Sequence, residues 1–134
     1  MKQVFADTSF YVASVNASDA LHERALSVSD SCGGGLLTTE YVLVELGNYL
    51  ASSNRQVFVE LMKIIREDAQ TEIVPATSQL LEYGLRRYAK RPDKAWSLTD
   101  CISFVIMEQH QLKDVLSSDH HFEQAGFRAL LSLE

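Results

Sequence analysis

The sequence predicts an α/β fold, a three-layer sandwich in which helices flank a short, mainly parallel sheet. Short apolar segments, which are typical of buried strands, alternate with longer segments of helical periodicity. The chain has 134 residues, of which 46% are hydrophobic, so a single domain spanning 1–134 can bury a core of its own. Its 2 cysteines do not form a disulfide or zinc-binding pattern, so apolar packing has to supply the stability.

Capping residues and helix breakers set the predicted helix ends. Thr8 or Ser9 caps the first helix, Thr38 or Thr39 caps the third, and Pro92 follows the fifth. Strands are predicted wherever a short apolar stretch lies between these helices. In chain order the predicted elements are a strand at 2–6, helices at 10–15 and 22–29, a strand at 36–37, helices at 40–50 and 57–68, a strand at 72–75, helices at 78–90 and 98–112, and strands at 115–117 and 128–133.

The charge balance argues against a protein that binds nucleic acid through a broadly basic surface. Lys and Arg number 12 against 18 Asp and Glu, which gives a formal net charge of −6. The stretch 86–94 is locally basic, which is typical of a solvated helix face and is also compatible with phosphate contacts. No apolar run approaches the ~20 residues that cross a bilayer, and Asp7 comes too early for a signal peptide, so we expect a cytoplasmic protein.

Two acids follow predicted strands. Asp7 comes directly after the first strand, and Asp119 comes shortly after the strand at 115–117. In parallel α/β folds, ligands bind beyond the carboxyl ends of the strands, so the fold brings both acids to one edge of the sheet. Taken separately, each acid also fits a turn or helix-start residue.

Two further acids lie on predicted helices. Asp100 belongs to a helix that is apolar nearly all round and therefore buried, where an ionised carboxylate is costly unless it is compensated. Ser97 and Asp100 fit a capping box, and Asp100 also fits an acidic site beside a cation; the two interpretations are compatible. Glu45 borders the apolar stripe of its helix, where a glutamate taken alone is typical of the surface.

Four carboxylates in one pocket repel one another unless cations are bound. Oxygen ligands of this kind suit Mg²⁺ or Mn²⁺, and two such ions can stabilise both the attacking and the leaving oxygen of a phosphoryl displacement. Metal-activated water is then the nucleophile, and no Ser, Cys or His nucleophile is required. The predicted catalytic and metal-binding residues are therefore Asp7, Glu45, Asp100 and Asp119.

The order of the short motifs around these acids resembles that of the PIN-domain ribonucleases, and more narrowly that of the VapC-type toxins of bacterial toxin–antitoxin pairs. The matching segments are 7–10, 44–46, 98–100 and 118–122, and the tail 122–127 is similar as well. The resemblance covers nearly the whole chain and implies endonucleolytic cleavage of RNA with Mg²⁺ or Mn²⁺. It implies that Asp7 and Asp100 are the direct metal ligands and that Glu45 and Asp119 complete the site. Ser9 and Ser118 match positions that often carry a hydroxyl.

The resemblance also implies partners. These are a structured RNA substrate such as transfer or ribosomal RNA, a small antitoxin that occupies the active-site groove, and a second copy of the chain in a homodimer. Two other functions stay open: a PIN-fold RNA-processing nuclease without an antitoxin, and a receiver-like phosphoacceptor domain. A receiver needs an acceptor aspartate on a middle strand and a lysine after a late strand, and neither 72–75 nor the residues after Ser117 supply them.

Other side chains that could take part in such chemistry have simpler interpretations. We interpret His120 and His121 as packed or solvent-facing, because the four acids already suffice to bind Mg²⁺. Trp96 is interpreted as a core residue at a helix start rather than as a platform for a base. Tyr49 is interpreted as a core or interface residue.

Overall fold

The computed structural model describes residues 2–132, whose backbone forms a parallel sheet flanked by helices. The strands are β1 (Val4–Ala6), β2 (Leu36–Thr39), β3 (Thr71–Val74), β4 (Asp114–Leu116) and β5 (Arg128–Ala129). The helices are α1 (Thr8–Val15), α2 (His22–Asp30), α3 (Glu40–Leu50), α4 (Arg55–Glu67), α5 (Ser78–Lys90), α6 (Leu98–Gln109) and α7 (His120–Gln124). The predicted fold class is confirmed, and every neighbouring strand pair is parallel.

The strand order is β3-β2-β1-β4-β5, so β1 lies at the centre of the sheet. From β1 the chain first adds β2 and β3 on one side and later adds β4 and β5 on the other. The direction of strand addition therefore reverses between β1 and β4, whose register aligns Phe5 with Val115. In open parallel sheets such a reversal opens a crevice beyond the carboxyl ends of the two strands, and ligands bind there.

Most predicted elements form close to their predicted positions. The helix predicted at 78–90 has the same bounds as α5, and Thr39 caps α3 by accepting a hydrogen bond from the Val42 N–H. The helix predicted to reach residue 112 ends at Gln109, because Gln111 adopts a φ of 57° and the chain turns towards β4. The last strand is shorter than predicted, because the chain turns after Ala129; Leu133 lies outside the described residues.

The predicted cap of the first helix is wrong, and the predicted elements include no range for the short helix after Asp119. Neither Thr8 nor Ser9 caps the first helix, because α1 already begins at Thr8 and Asp7 occupies the cap position. The helix α7, which follows Asp119, is too short to show a periodicity in the sequence. Both differences concern residues beside the predicted acids, so they bear on the site described below.

Aromatic residues build the part of the core that supports α6. The ring centroids of Trp96 and Phe104 and those of Phe104 and Phe122 are 5.1 Å apart in edge-to-face arrangements. Trp96 is buried, and its indole N–H donates a hydrogen bond to Gln124 Oε1. The interpretation of Trp96 as a core residue is therefore confirmed, and this side chain is not available to a ligand.

The basic stretch 86–94 is largely engaged in ion pairs. Arg86 pairs with Glu82, Arg87 with Glu108, and Arg91 with Asp93. The Arg87 and Arg91 guanidinium groups also lie over the rings of Phe104 and Trp96, at 5.5 Å and 5.3 Å from the centroids. Most of the arginines in this stretch therefore make contacts within the protein, at α5 and the turn that follows it.

Among residues 2–132, no helix is both long and apolar enough to span a membrane.

Close packing of α5 on α6 depends on Gly84, because a Cβ at this position would lie 2.3 Å from Cγ1 of the buried Ile102. We expect Gly84→Ala to lower the free energy of unfolding by about 1–2 kcal/mol, since overpacking outweighs the better helix propensity of alanine. Urea denaturation measures this loss. The loss should shrink in an Ile102→Ala background, and an equal loss in both backgrounds would contradict the explanation.

Candidate active site

A pocket of about 420 Å³ opens beyond the carboxyl ends of β1 and β4, at the reversal point of the sheet. All four predicted acids line it: Asp7, Glu45, Asp100 and Asp119. Among residues 2–132, no lysine or arginine contributes to the lining, so the negative charge is not balanced by a permanently charged side chain. The structure thus brings together acids that four separate segments of the chain supply.

Asp7 stands at the cap position of α1, yet its side chain does not cap the helix. Its Oδ2 instead accepts a hydrogen bond from the Ser117 hydroxyl at 3.0 Å, and Ser9 Oγ lies 3.4 Å from the same atom. Burial, reinforced by the charges of Asp100 and Glu45, raises the pKa of Asp7 to about 7 despite hydrogen bonds that favour the anion. The carboxylate is therefore held at an energetic cost.

Asp100 has both of the roles that its sequence context suggested. Its Oδ2 accepts a hydrogen bond from the Ser97 N–H at 3.1 Å, and its own N–H donates to Ser97 Oγ at 3.0 Å, which completes the capping box. The same carboxyl is buried and lines the pocket. Burial raises its pKa, and the charge of Asp119 adds to this shift, while the Ser97 N–H and His121 oppose it.

Glu45 and Asp119 are the other two predicted acids of the lining, which also contains Asp19. Thr8 Oγ1 donates a hydrogen bond of 2.5 Å to Glu45 Oε1, which ties α3 to the start of α1. Asp119 caps α7, because its Oδ1 accepts a hydrogen bond from the His121 N–H at 2.9 Å. The helix-start interpretation of Asp119 is thus correct for the local backbone, and the side chains of Glu45 and Asp119 both line the pocket.

The hydroxyl groups beside Asp7 belong to Ser9 and Ser117. Ser9 lies in the network beside Asp7, 3.2 Å from the Ser117 hydroxyl, and its oxygen accepts a hydrogen bond from the Ser118 N–H. Ser118 lines the pocket, but the hydroxyl that reaches Asp7 belongs to its neighbour Ser117. Ser117 is fully buried, and its Oγ also accepts a hydrogen bond from the Asp119 N–H, so one hydroxyl links two of the acids.

His121 is the main contact that sequence reasoning missed. Its Nδ1 lies 3.1 Å from Asp100 Oδ2 and 3.3 Å from Asp119 Oδ1, and its side chain is only 19% exposed. His120 is 72% exposed, as expected for a solvent-facing residue. The sequence contains one signal for this contact, because His121 lies in the first turn of the helix that Asp119 caps. The predicted elements include no range for that helix, so the signal was not used.

The donor set fits a divalent cation. The described lining holds these carboxylates without a lysine or arginine, and burial raises the pKa values of Asp7 and Asp100, so a hard cation would stabilise their charged forms. Ligand atoms of Asp119, His120 and His121 lie within 4.8 Å of one another, and no three of the predicted acids of residues 2–132 meet that distance. The predicted acids of residues 2–132 therefore line the pocket without forming one closed coordination sphere.

Comparison with known proteins confirms the predicted resemblance of the chain to the VapC-type PIN-domain ribonucleases. The chain is similar to the 23S rRNA-specific endonuclease VapC20 of Mycobacterium tuberculosis. The two are 27% identical over 124 residues, which cover 92% of this chain and 95% of VapC20. No protein-family model matches the sequence.

Solved structures support the same fold. The crystal structure of VapC20, described as a sarcin–ricin loop cleaving toxin, superposes with a TM-score of 0.85 at 26% identity and covers 93% of this chain and 96% of that one. VapBC2 of Rickettsia felis, bound to a promoter DNA fragment, gives a TM-score of 0.66 at 12% identity, with coverages of 94% and 96%. FitAcB of Neisseria gonorrhoeae gives 0.66 at 19% identity, with 95% of each chain covered.

Proposed function

We propose that this chain is a Mg²⁺- or Mn²⁺-dependent endoribonuclease that cleaves structured RNA and acts as the toxin of a toxin–antitoxin pair. The observation that carries the proposal is the pocket at the sheet reversal, which the four predicted acids line without a lysine or arginine in the described lining. Similarity to a ribosomal RNA endonuclease over nearly the whole chain supports RNA as the substrate and ribosomal RNA as the class to test first.

The chain's own residues prepare the site. Asp7 and Asp100 would hold the ion most directly, and Glu45 and Asp119 would complete its surroundings. When bound, Mg²⁺ or Mn²⁺ activates water for attack on the phosphodiester and stabilises the charge that develops on the phosphate. Hydrogen bonds from Ser117 to Asp7 and from Thr8 to Glu45 fix two of the carboxylates, so less reorganisation is needed when substrate arrives.

Three parts of the proposal rest on the family resemblance and on the composition of the chain: a small antitoxin partner, a homodimer and a cytoplasmic location. The alternative function is an RNA-processing nuclease without an antitoxin. A receiver-like domain is less well supported, because its chemistry needs a lysine beside the acids and none of residues 2–132 places one in the lining. Arrest of growth when the chain is expressed, relieved by the product of a neighbouring small gene, would support the toxin role over the alternative.

The nuclease activity is tested with the purified protein and ribosomal RNA, with Mg²⁺ or Mn²⁺ and with EDTA. We expect discrete fragments with either metal and intact RNA in EDTA, because the carboxylates alone cannot activate water. Sequencing the fragment ends then locates the cleavage site. Fragments that form equally well in EDTA would contradict the metal-dependent mechanism, and intact RNA under all conditions would contradict the nuclease proposal.

His121 supplies a separate prediction, because its Nδ1 bridges Asp100 and Asp119. An N–H that orients the carboxylates around a metal typically contributes 10–100-fold to metal affinity, so we expect His121→Ala to weaken Mn²⁺ binding by about that factor. Asparagine places an amide N–H near the position of Nδ1, so His121→Asn should recover part of the loss.

Isothermal titration calorimetry with Mn²⁺ measures this effect without relying on catalysis. His120→Ala is the matched control, because it removes the exposed neighbouring imidazole and should leave the affinity within about twofold of wild type. Equal losses for His120→Ala and His121→Ala would argue against a positioning role that is specific to His121.

A further inference from the structure

Four side chains that the proposed metal site does not use also line the acidic pocket. They are apolar or aromatic, and we call them the apolar lining: Val12, Leu21, Tyr49 and Ala95. They share the pocket with the carboxylates, so a ligand in the pocket can contact both. A phosphodiester flanked by nucleobases likewise places a charged group next to flat aromatic rings.

Tyr49 is the largest residue of the apolar lining. It follows Glu45 by four residues on α3, so the two side chains lie one helical turn apart on the same face. Tyr49 lines the pocket and is 63% exposed. Its ring is therefore accessible to a ligand that enters the pocket.

We propose that Tyr49 is a stacking platform for an unpaired nucleobase beside the scissile phosphate, an inference that rests on the proposed endoribonuclease function. A phosphate held at the carboxylates through divalent cations leaves its neighbouring bases within reach of a side chain one helical turn away. Proteins recognise RNA loops largely by stacking splayed bases on aromatic side chains. Among the described residues that line the pocket, Tyr49 is the one Phe, Tyr or Trp, and Trp96 is buried in the core.

The ligand class follows from this geometry. A base in a continuous A-form helix is stacked on both sides and cannot turn onto a protein ring, whereas a base in a loop or bulge can. The subsite therefore selects RNA whose cleavage site lies in an unpaired segment. A ring that stacks without hydrogen-bonding to the base edge tolerates several bases, so Tyr49 contributes to affinity and to the position of the cut more than to base identity.

The test compares Tyr49→Ala, Tyr49→Phe and, as a matched control, Tyr88→Ala. Tyr88 lies on α5, is 49% exposed and is not part of the pocket lining. Cleavage kinetics are measured on ribosomal RNA with Mn²⁺. Binding is measured in the Asp100→Asn background by fluorescence anisotropy, with a labelled RNA that spans the mapped cleavage site.

Since stacking on an aromatic side chain is worth roughly 1–3 kcal/mol per base, Tyr49→Ala should raise both KM and the RNA dissociation constant by about 5- to 100-fold. We expect a smaller change in kcat, because the carboxylates are untouched. Tyr49→Phe and Tyr88→Ala should stay within about twofold of wild type, since the first keeps the ring and the second is remote from the pocket.

The outcomes separate the inference from the function on which it rests. If wild type leaves RNA intact, the proposed function fails and the base subsite fails with it. If wild type cuts RNA but Tyr49→Ala has an unchanged KM and dissociation constant, only the base subsite is overturned. A Tyr49→Phe variant as weak as Tyr49→Ala would assign the effect to the hydroxyl and would overturn stacking.

Discussion

Asp7→Asn is expected to lower the rate of RNA cleavage by at least about 100-fold, because residues that merely orient metal ligands already contribute 10–100-fold. The substitution removes a negative charge at the centre of the pocket but keeps the size of the side chain. Asparagine retains an oxygen that can accept the Ser117 hydrogen bond, so we expect the fold to remain intact. The measurement is single-turnover cleavage of ribosomal RNA at saturating Mn²⁺.

Asp30→Asn is the matched control for this loss of activity. Asp30 is exposed at the end of α2 and does not line the pocket, so the same chemical change there should leave the rate within about twofold of wild type. Circular dichroism would confirm that both variants fold. A rate for Asp7→Asn close to that of wild type, with either Mg²⁺ or Mn²⁺, would remove Asp7 from the catalytic site.

The same substitution should stabilise the metal-free protein, and increasingly so as the pH rises. Burial raises the pKa of Asp7 from 3.8 to about 7, so between these values the folded protein holds a proton that the unfolded chain has released. Stability is therefore fully present below about pH 4 and is lost as the pH rises towards and through 7. Since Asp7→Asn cannot ionise, it should exceed wild type by up to about 4 kcal/mol at pH 8.

Urea denaturation in EDTA between pH 4.5 and 8 measures this difference. We expect the two proteins to be nearly equal at the acid end and to diverge towards pH 8, while Asp30→Asn follows wild type throughout. Mg²⁺ should stabilise wild type more than the variant, because a ligand that binds only the folded state raises its stability. A difference that does not change with pH, or a variant less stable than wild type at pH 8, would contradict the raised pKa.

Both expectations have the same cause: the buried carboxylates of the pocket lower the stability of the metal-free protein and are required for the proposed catalysis. Active sites commonly contain residues that lower the stability of the unliganded protein, because the activity depends on those residues. Asp7 and Asp100 fit this description, because burial and neighbouring acids raise the pKa of each carboxyl. A bound divalent cation would remove the repulsion, so metal binding and stability should be coupled in this protein.

Local features of the sequence were sufficient to predict most helices, the parallel fold class and the acids that line the pocket. The bounds of α5, the Thr39 cap and the capping box between Ser97 and Asp100 agree with the structure. These features depend on contacts within one helical turn, which spacing and residue type reveal. The carboxyl ends of parallel strands lie at one edge of the sheet, so the fold class alone predicts that Asp7 and Asp119 lie close together. The catalytic role of the four acids stays a prediction.

Tertiary structure alone decided which side chains meet these acids. Ser117 reaches Asp7 across 110 residues of chain, and Thr8 reaches Glu45 across 37. His121 joins Asp100 to Asp119 because α7, a helix too short to show a periodicity, turns its first residues towards α6. The exposure of Tyr49 likewise follows from how α3 lies against its neighbours. The periodicity of a sequence indicates which face of a helix or strand is buried, but not which distant residue contacts that face. The strand order and the packing of helices on the sheet determine these contacts.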